Sequence, residues 1–261
     1  MARHIEAWMD GVRLSEIGAV VIQNVSEPPP EMEIEYTGRP VLGGRTVQKR
    51  RRRALRVTID AAIHELYDLK KRAAIHDAIA KWCSGSILEL SNHPGRQLHV
   101  ISGGVPGLGS VRDFNSILSI ELEANAIPYW EETMANTASG SGASGSTTLW
   151  IPGTAKEVPV DVTVASGSGI SSLTVTVTCG GITKSIALSG MSGVAGAITF
   201  SRDADDRLQI LTGSTNLMPY RTAASSDDLV IPAGMATVSW SASYSFYMSR
   251  SITFSARGRW L

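Results

Sequence analysis

The sequence predicts a mainly β protein in two parts: an N-terminal β-sandwich-like domain with one α-helix and an extended β-hairpin, followed by a C-terminal β-sandwich. Three observations lead there. Short runs of alternating apolar and polar residues recur along most of the chain, which is the pattern of strands buried on one face. A single stretch, Asp68 to Cys83, carries helical spacing instead. The 261 residues exceed one usual domain of roughly 100 to 200, and charged side chains are concentrated before residue 134.

In the first half, "HIEAWMDGVRL" and "AVVIQNV" read as short strands, with Asp10-Gly11 supplying turn chemistry between them. "MEIEYTG" alternates again, and "TGRPVLGGRT" holds Gly38, Pro40, Gly43 and Gly44, which favour a chain reversal. The returning segment, "QKRRRRALRVTID", packs Lys49, Arg50, Arg51, Arg52 and Arg53 together and then places Leu55, Val57 and Ile59 on one strand face. Asp68 caps the helix, Leu69, Ile75, Ile79, Trp82 and Cys83 form its apolar stripe, and Gly85 stops it. Strands resume at "SILELS", "RQLHVIS" and "SILSIELEA". Many strands around one helix suit a sandwich, not a doubly wound parallel sheet.

Residues 1–133 are thus expected to form the first domain. "NTASGSGASGSTT", Asn136 to Thr148, offers no apolar face and reads as a flexible connector or long loop, assigned to 134–148. In 149–261, "VPVDVTV", "SLTVTVTC", "KSIALSG", "GAITFSR", "RLQILTG", "ATVSWSASYSFYM" and "SITFSARGRW" recur between Gly, Ser, Asn and Asp turns, as in an all-β sandwich.

Lys plus Arg and Asp plus Glu number 24 each, so no long-range field draws the chain toward DNA or an anionic membrane. Cys83 and Cys179 lack metal-ligand spacing and fall in different halves, which suggests reduced, structural thiols. The N-terminus has no apolar signal core and no segment has the roughly 18 apolar residues of a membrane helix, so synthesis and folding in a cytoplasm are expected.

The charged run has two readings. A hairpin closed near Leu42 brings Glu31, Glu33 and Glu35 opposite Lys49, Arg51 and Arg53, and such cross-strand pairs contribute roughly 0.2 to 1 kcal/mol each, enough to set register. Arg50 and Arg52 then point to the other face without an evident local partner, which leaves a basic surface aimed at another chain or at nucleic acid.

Catalytic chemistry is scarce. His4, His64, His76, His93 and His99 show no HExxH spacing, and no GxSxG elbow is present. "GGVPGLG", Gly103 to Gly109, is broken by Pro106 and precedes no helix that could present amides to a phosphate. "RDADDR" groups Asp203, Asp205 and Asp206, but Arg207 stands where a calcium loop needs a ligand. No catalytic residue, cofactor or metal site is expected. Trp240, Tyr244 and Phe246 share one face of a late strand, where they either form sandwich core or, if exposed, stack on sugar rings.

The order of these landmarks resembles the distal tail protein family of long-tailed bacteriophages with non-contractile tails, and related prophage tail-tip proteins. The early Asp10-Gly11 turn, "GRPVLGGR", "ALRVTIDA", "AIAKWCSG" and "LELSNHPGRQLHVIS" follow its first domain. "SIELEANAIPYWEE" resembles the close of that domain at Pro128 and Tyr129, although Ile127 replaces the family's Asp. "IPGTAKEVPVDVTV", "ALSG", "DDLVIPAGMATVSW" and "SARGRWL" resemble its second, galectin-like sandwich. No galectin-type sugar triad is present there: Asn92 to Arg96 is the only Asn-His-Pro-Gly-Arg string and lies in the other half.

The resemblance implies a structural virion protein. It implies a homo-oligomeric ring of about six subunits that joins the tail tube protein to the tail-tip hub, its second domain serving as a docking platform for receptor-binding proteins. Glu31, Glu33, Glu35 and Lys49 to Arg53 would supply complementary subunit surfaces. Neither a stable nucleic-acid complex nor membrane insertion is implied. The rival reading is a carbohydrate-binding adhesin that uses Trp240, Tyr244 and Phe246, or Trp150. A hydrolase is a third reading, with no nucleophile and base to name.

Overall fold

Leu55, Val57 and Ile59 are all buried along one face of the strand Leu55–Ile63, as their alternation requires. In the computed structural model this strand pairs antiparallel with Val20–Ser26 on one side and Ser116–Ala124 on the other, and Ile101–Ser102 extends the sheet. The structure describes residues 5–18, 20–38, 45–64, 68–102, 116–124, 126–167, 169–203, 205–244 and 250–261. The chain divides into one unit of Met1–Trp130 with Leu261, and a second of Glu131–Trp260.

A second set of strands in the first unit runs in the order Val12–Arg13, Ala7–Met9, Ile87–Leu90, Arg96–His99. Asp10 and Gly11 have φ of 49° and 79°, the left-handed pair that a tight two-residue hairpin needs. They join Ala7–Met9 to Val12–Arg13, so the turn lies inside the first expected strand segment and not after it. The Asp10 carboxylate also accepts the Ile87 N–H at 2.9 Å, tying this hairpin to the next strand.

The helix spans Leu69–Trp82, and Asp68 caps it by accepting the Lys70 and Lys71 N–H groups at 2.9 and 3.2 Å. Its stripe differs from expectation at one end. Leu69 is 65% exposed, whereas Arg72 is buried with Ile79 and Trp82. At about 100° per residue, Arg72, Ile75, Ile79 and Trp82 share one arc and Leu69 stands off it. The Trp82 indole donates to the Val12 carbonyl at 2.7 Å, fixing the helix end to the first hairpin. Gly85 follows the helix for reasons of space: a Cβ there would overlap Met9 and Asp10.

The second unit is a sandwich. One sheet runs Asn136–Ser141, Ser251–Ala256, Asp161–Val164, Ile198–Arg202, Leu208–Thr212, Thr215–Asn216, and the other runs Ser144–Ile151, Gly234–Tyr244, Ile170–Cys179, Ile182–Leu188. Both alternate along their length: Val162, Phe200, Ile210 and Phe254 are buried from the first, Leu149, Val175, Val238 and Ile186 from the second.

The Gly/Ser-rich segment assigned to a connector is instead two strands of this sandwich. Asn136–Ser141 pairs with Ser251–Ala256, and Ser144–Ile151 pairs with Gly234–Tyr244. The small residues make room for an indole, since a Cβ on Gly140 or Gly145 would collide with the Trp240 ring. Trp240 is buried, its ring centroid 6.0 Å from that of Phe254 in the facing sheet. Its Nε1–H and the Tyr244 hydroxyl both donate to the Gly142 carbonyl, each at 3.2 Å. The apolar face that the segment lacks is supplied by its neighbour.

Cys83 and Cys179 are buried free thiols. Burial pushes the Cys83 thiol up to about 11 and raises that of Cys179, which keeps both protonated and unreactive.

Candidate functional site

Met32–Gly38 and Arg45–Arg52 form a two-stranded antiparallel ribbon that pairs with no other strand among the described residues. Pro28, Pro29 and Pro30 lead into it, and with Arg53, Arg56 and Glu123 they line an open cleft at its root. Consecutive prolines hold an extended, semi-rigid lead.

The register places Glu33 opposite Arg51 and Glu35 opposite Lys49. At the root, Arg53 meets Glu31 twice: its N–H donates to the Glu31 carbonyl at 2.9 Å and its guanidinium to the carboxylate at 3.1 Å. Acidic and basic positions therefore alternate in one ladder, as the sequence predicts. A register shift between Glu35 and Tyr36 passes over Gln48, a bulge that strengthens local twist.

The opposite face carries exposed Met32, Ile34 and Tyr36. Arg52 stands opposite Met32, and Arg50 stands opposite Ile34. Arg52, expected to lack a local partner, has one: its guanidinium lies 5.5 Å from the centroid of the buried Tyr129 ring. Sequence separation hid that contact. The side chains of Lys49, Arg50 and Arg51, the tip of the hairpin and the loop Gly103 to Gly109 lie outside the described residues.

Elsewhere the structure absorbs most of the remaining candidates. Asn92 and His93 both reach Glu27, at 3.0 and 2.7 Å, and the His93 ring stacks 4.4 Å from Trp130, so the Asn-His-Pro-Gly-Arg string is a tied turn. Asp203 accepts from the Asp205 and Arg207 N–H groups at 3.0 and 2.9 Å, and the Arg207 amide holds its carboxyl below the usual range. Asp206 turns inward. Its carboxylate takes two hydrogen bonds from Arg259, both 3.0 Å, while the Arg259 Nε donates to Glu131 at 2.6 Å. Burial pulls the Arg259 guanidinium down, but Asp206 and Glu131 more than offset it and the net shift is upward.

Beside this cluster Arg202 forms a bidentate pair with Asp228. Its Nε lies 3.9 Å from a buried Asp161 oxygen, beyond hydrogen-bond reach. Burial raises Asp161 to about 6, with Asp206 and Glu131 adding to the rise against Arg202 and Arg257. Nothing in the spacing of these residues announced the cluster; "SARGRWL" and "RDADDR" meet only through the fold.

Of the aromatics considered for ligand contact, Trp240 is core and Tyr244 is tied to Gly142, so the core reading holds for the first and a bracing role for the second. Phe246 lies outside the described residues. Trp150 is exposed. Among the described residues no group of His, Cys, Asp and Glu is placed to hold a metal ion, and no helix is long and apolar enough to cross a membrane.

No protein-family model matches the chain, and no curated protein sequence matches it. Solved structures do. The Dit (gp 19.1) protein of phage SPP1, a paradigm of hub adsorption apparatus in Gram-positive infecting phages, matches with a TM-score of 0.65 at 12% identity, over 97% of this chain and 98% of its own. The phage P2 baseplate in its activated conformation with Ca matches at a TM-score of 0.46 and 12% identity over 99% and 98%. The same baseplate with Sr gives 0.44 and 13% over 98% and 98%. The SPP1 likeness is the one with weight: over 97% of its length this chain shares the mainly β, sandwich fold of that protein, the fold class that the ordered motifs imply.

Proposed function

We propose that the chain is a structural phage tail-tip protein of the distal tail type, assembling as a ring of about six copies that joins the tail tube to the tail-tip hub and offers a platform for adsorption proteins. The observation that carries this reading is the likeness to SPP1 Dit across nearly the whole of both chains. The ribbon supports it independently. A two-stranded ribbon is marginal in water on its own, and this one exposes Met32, Ile34 and Tyr36. A ring needs two different, mutually complementary surfaces on every subunit. Glu31, Glu33 and Glu35 with Lys49, Arg50, Arg51 and Arg53 supply charge of both signs, and Arg52 braces the ribbon root on Tyr129.

Light scattering of the purified chain at low and high salt, with negative-stain imaging of the same peak, tests the reading. A closed ring of about six copies that loosens in high salt is the expected result. A monomer at every concentration, with no rings on the grid, would overturn it.

A further inference from the structure

We infer that the outer face of the four-stranded sheet in the second unit binds a neutral oligosaccharide, with Trp150 as the stacking platform. Trp150 and Met235 are direct cross-strand partners, 54% and 61% exposed. The adjoining row across all four strands is Thr148, Thr237, Thr178 and Thr183. The row beyond it continues in Ser and Thr, and Thr178 and Thr183 already meet at 3.0 Å. A hydroxyl offers one donor and two acceptor sites, so each keeps capacity for a ligand after such a contact.

The chemistry of this face selects its occupant by exclusion. No Lys or Arg stands on it to neutralise phosphate, which removes nucleic acid and anionic lipid. No carboxylate stands on it either, which removes a basic peptide. Protein interface cores favour Trp and Met but are depleted of Ser, whereas here successive hydroxyl rows run across the sheet from the large apolar pair at its end. A neutral pyranose fits both parts, with an apolar C–H face for the indole and a rim of hydroxyls for the threonines. The fold brings Trp150 and Met235 together from strands 85 positions apart, and their exposure is a property of the single chain, so this site stands whether or not the ring forms.

The test is calorimetric titration of the full chain with maltoheptaose, cellohexaose and chitohexaose, repeated on Trp150→Ala and on the double variant Thr148→Val with Thr178→Val. At least one sugar binds with a Kd at or below about 1 mM, insensitive to salt, weakening about tenfold in Trp150→Ala and about threefold in the threonine variant. Trp150 is exposed, so its loss leaves the melting curve in place and a folding failure is distinguishable. No heat with any of the three at about 10 mM sugar, or binding unchanged by Trp150→Ala, overturns the proposal. So does a Trp150→Ala variant that changes the solution mass of the protein while sugar binding is absent, which would assign the face to a protein contact.

Discussion

In the ribbon of the first unit Arg53 and Glu31 meet at 3.1 Å with side chains 60% and 76% exposed, whereas in the second unit Arg259 and Glu131 meet at 2.6 Å with side chains 5% and 7% exposed. The chemical pair is the same. In water the attraction is screened and competes with hydration, so the exposed pair sets register and remains available to another chain. Inside the sandwich both ions have lost most of their hydration, and the Arg259 guanidinium is held between the Glu131 and Asp206 carboxylates. The Arg53–Glu31 pair is a surface device; the Arg259–Glu131 pair is part of the core.

The sharpest break of that contrast is Arg259→Leu. It leaves Glu131 and Asp206 without their shared donor, and a loss of roughly 3 to 5 kcal/mol is expected in urea unfolding of the full chain. A loss below about 1 kcal/mol would mean that the cluster is wetter than its burial implies. Next in size is Gly140→Ala, which drives a methyl into the Trp240 ring and should cost about 1 to 3 kcal/mol, read from the same unfolding curve. Were the segment a loose connector, this substitution would be silent.

Asp161 gives a smaller, signed effect. Its folded value, near 6, lies above its ordinary 3.8, so the folded state holds the proton more tightly. Stability from this group is fully present below about pH 4 and is lost as pH rises through about 6. The side chain is 45% exposed, which reduces the contribution to about 1 kcal/mol. Thermal melts from pH 4 to 7.5 should show the wild type losing more on the alkaline side than Asp161→Asn; equal slopes would remove the assignment. Smallest is Arg53→Ala, expected to change the stability of the isolated chain by less than about 0.5 kcal/mol while weakening any ring in light scattering.

Much of the fold is legible in the sequence wherever a single element carries its own signal. Ser116–Ala124 coincides with "SILSIELEA" because period-two alternation marks a strand with one buried face, and Met32–Gly38 coincides with "MEIEYTG" through the same alternation although its apolar face is exposed. Asp68 announces its helix because a cap is a local hydrogen bond. The pairing of an acidic with a basic strand followed from two charge ladders and one reversal within a short span of chain, while the exact register, with its shift at Gln48, came from the structure. Leu69 was misplaced at a helix end, where one turn of spacing does not define a face.

The errors of substance share a cause. Gly140 and Gly145 look like a linker until Trp240, far along the chain, is laid across them, and Arg52 looks unpartnered until Tyr129 arrives beneath it. Composition measures what a segment can bury by itself, not what a neighbour brings to it. By itself, then, the sequence determined the strands that carry their own alternation, where the helix starts and that an acidic and a basic strand face each other in one hairpin, since those depend on side-chain period and nearby hydrogen bonds. Only the tertiary structure decided that Arg259, Glu131 and Asp206 form one buried cluster, that Trp240 is core and that Trp150 is surface, because burial belongs to the packing of distant strands and no local pattern encodes it.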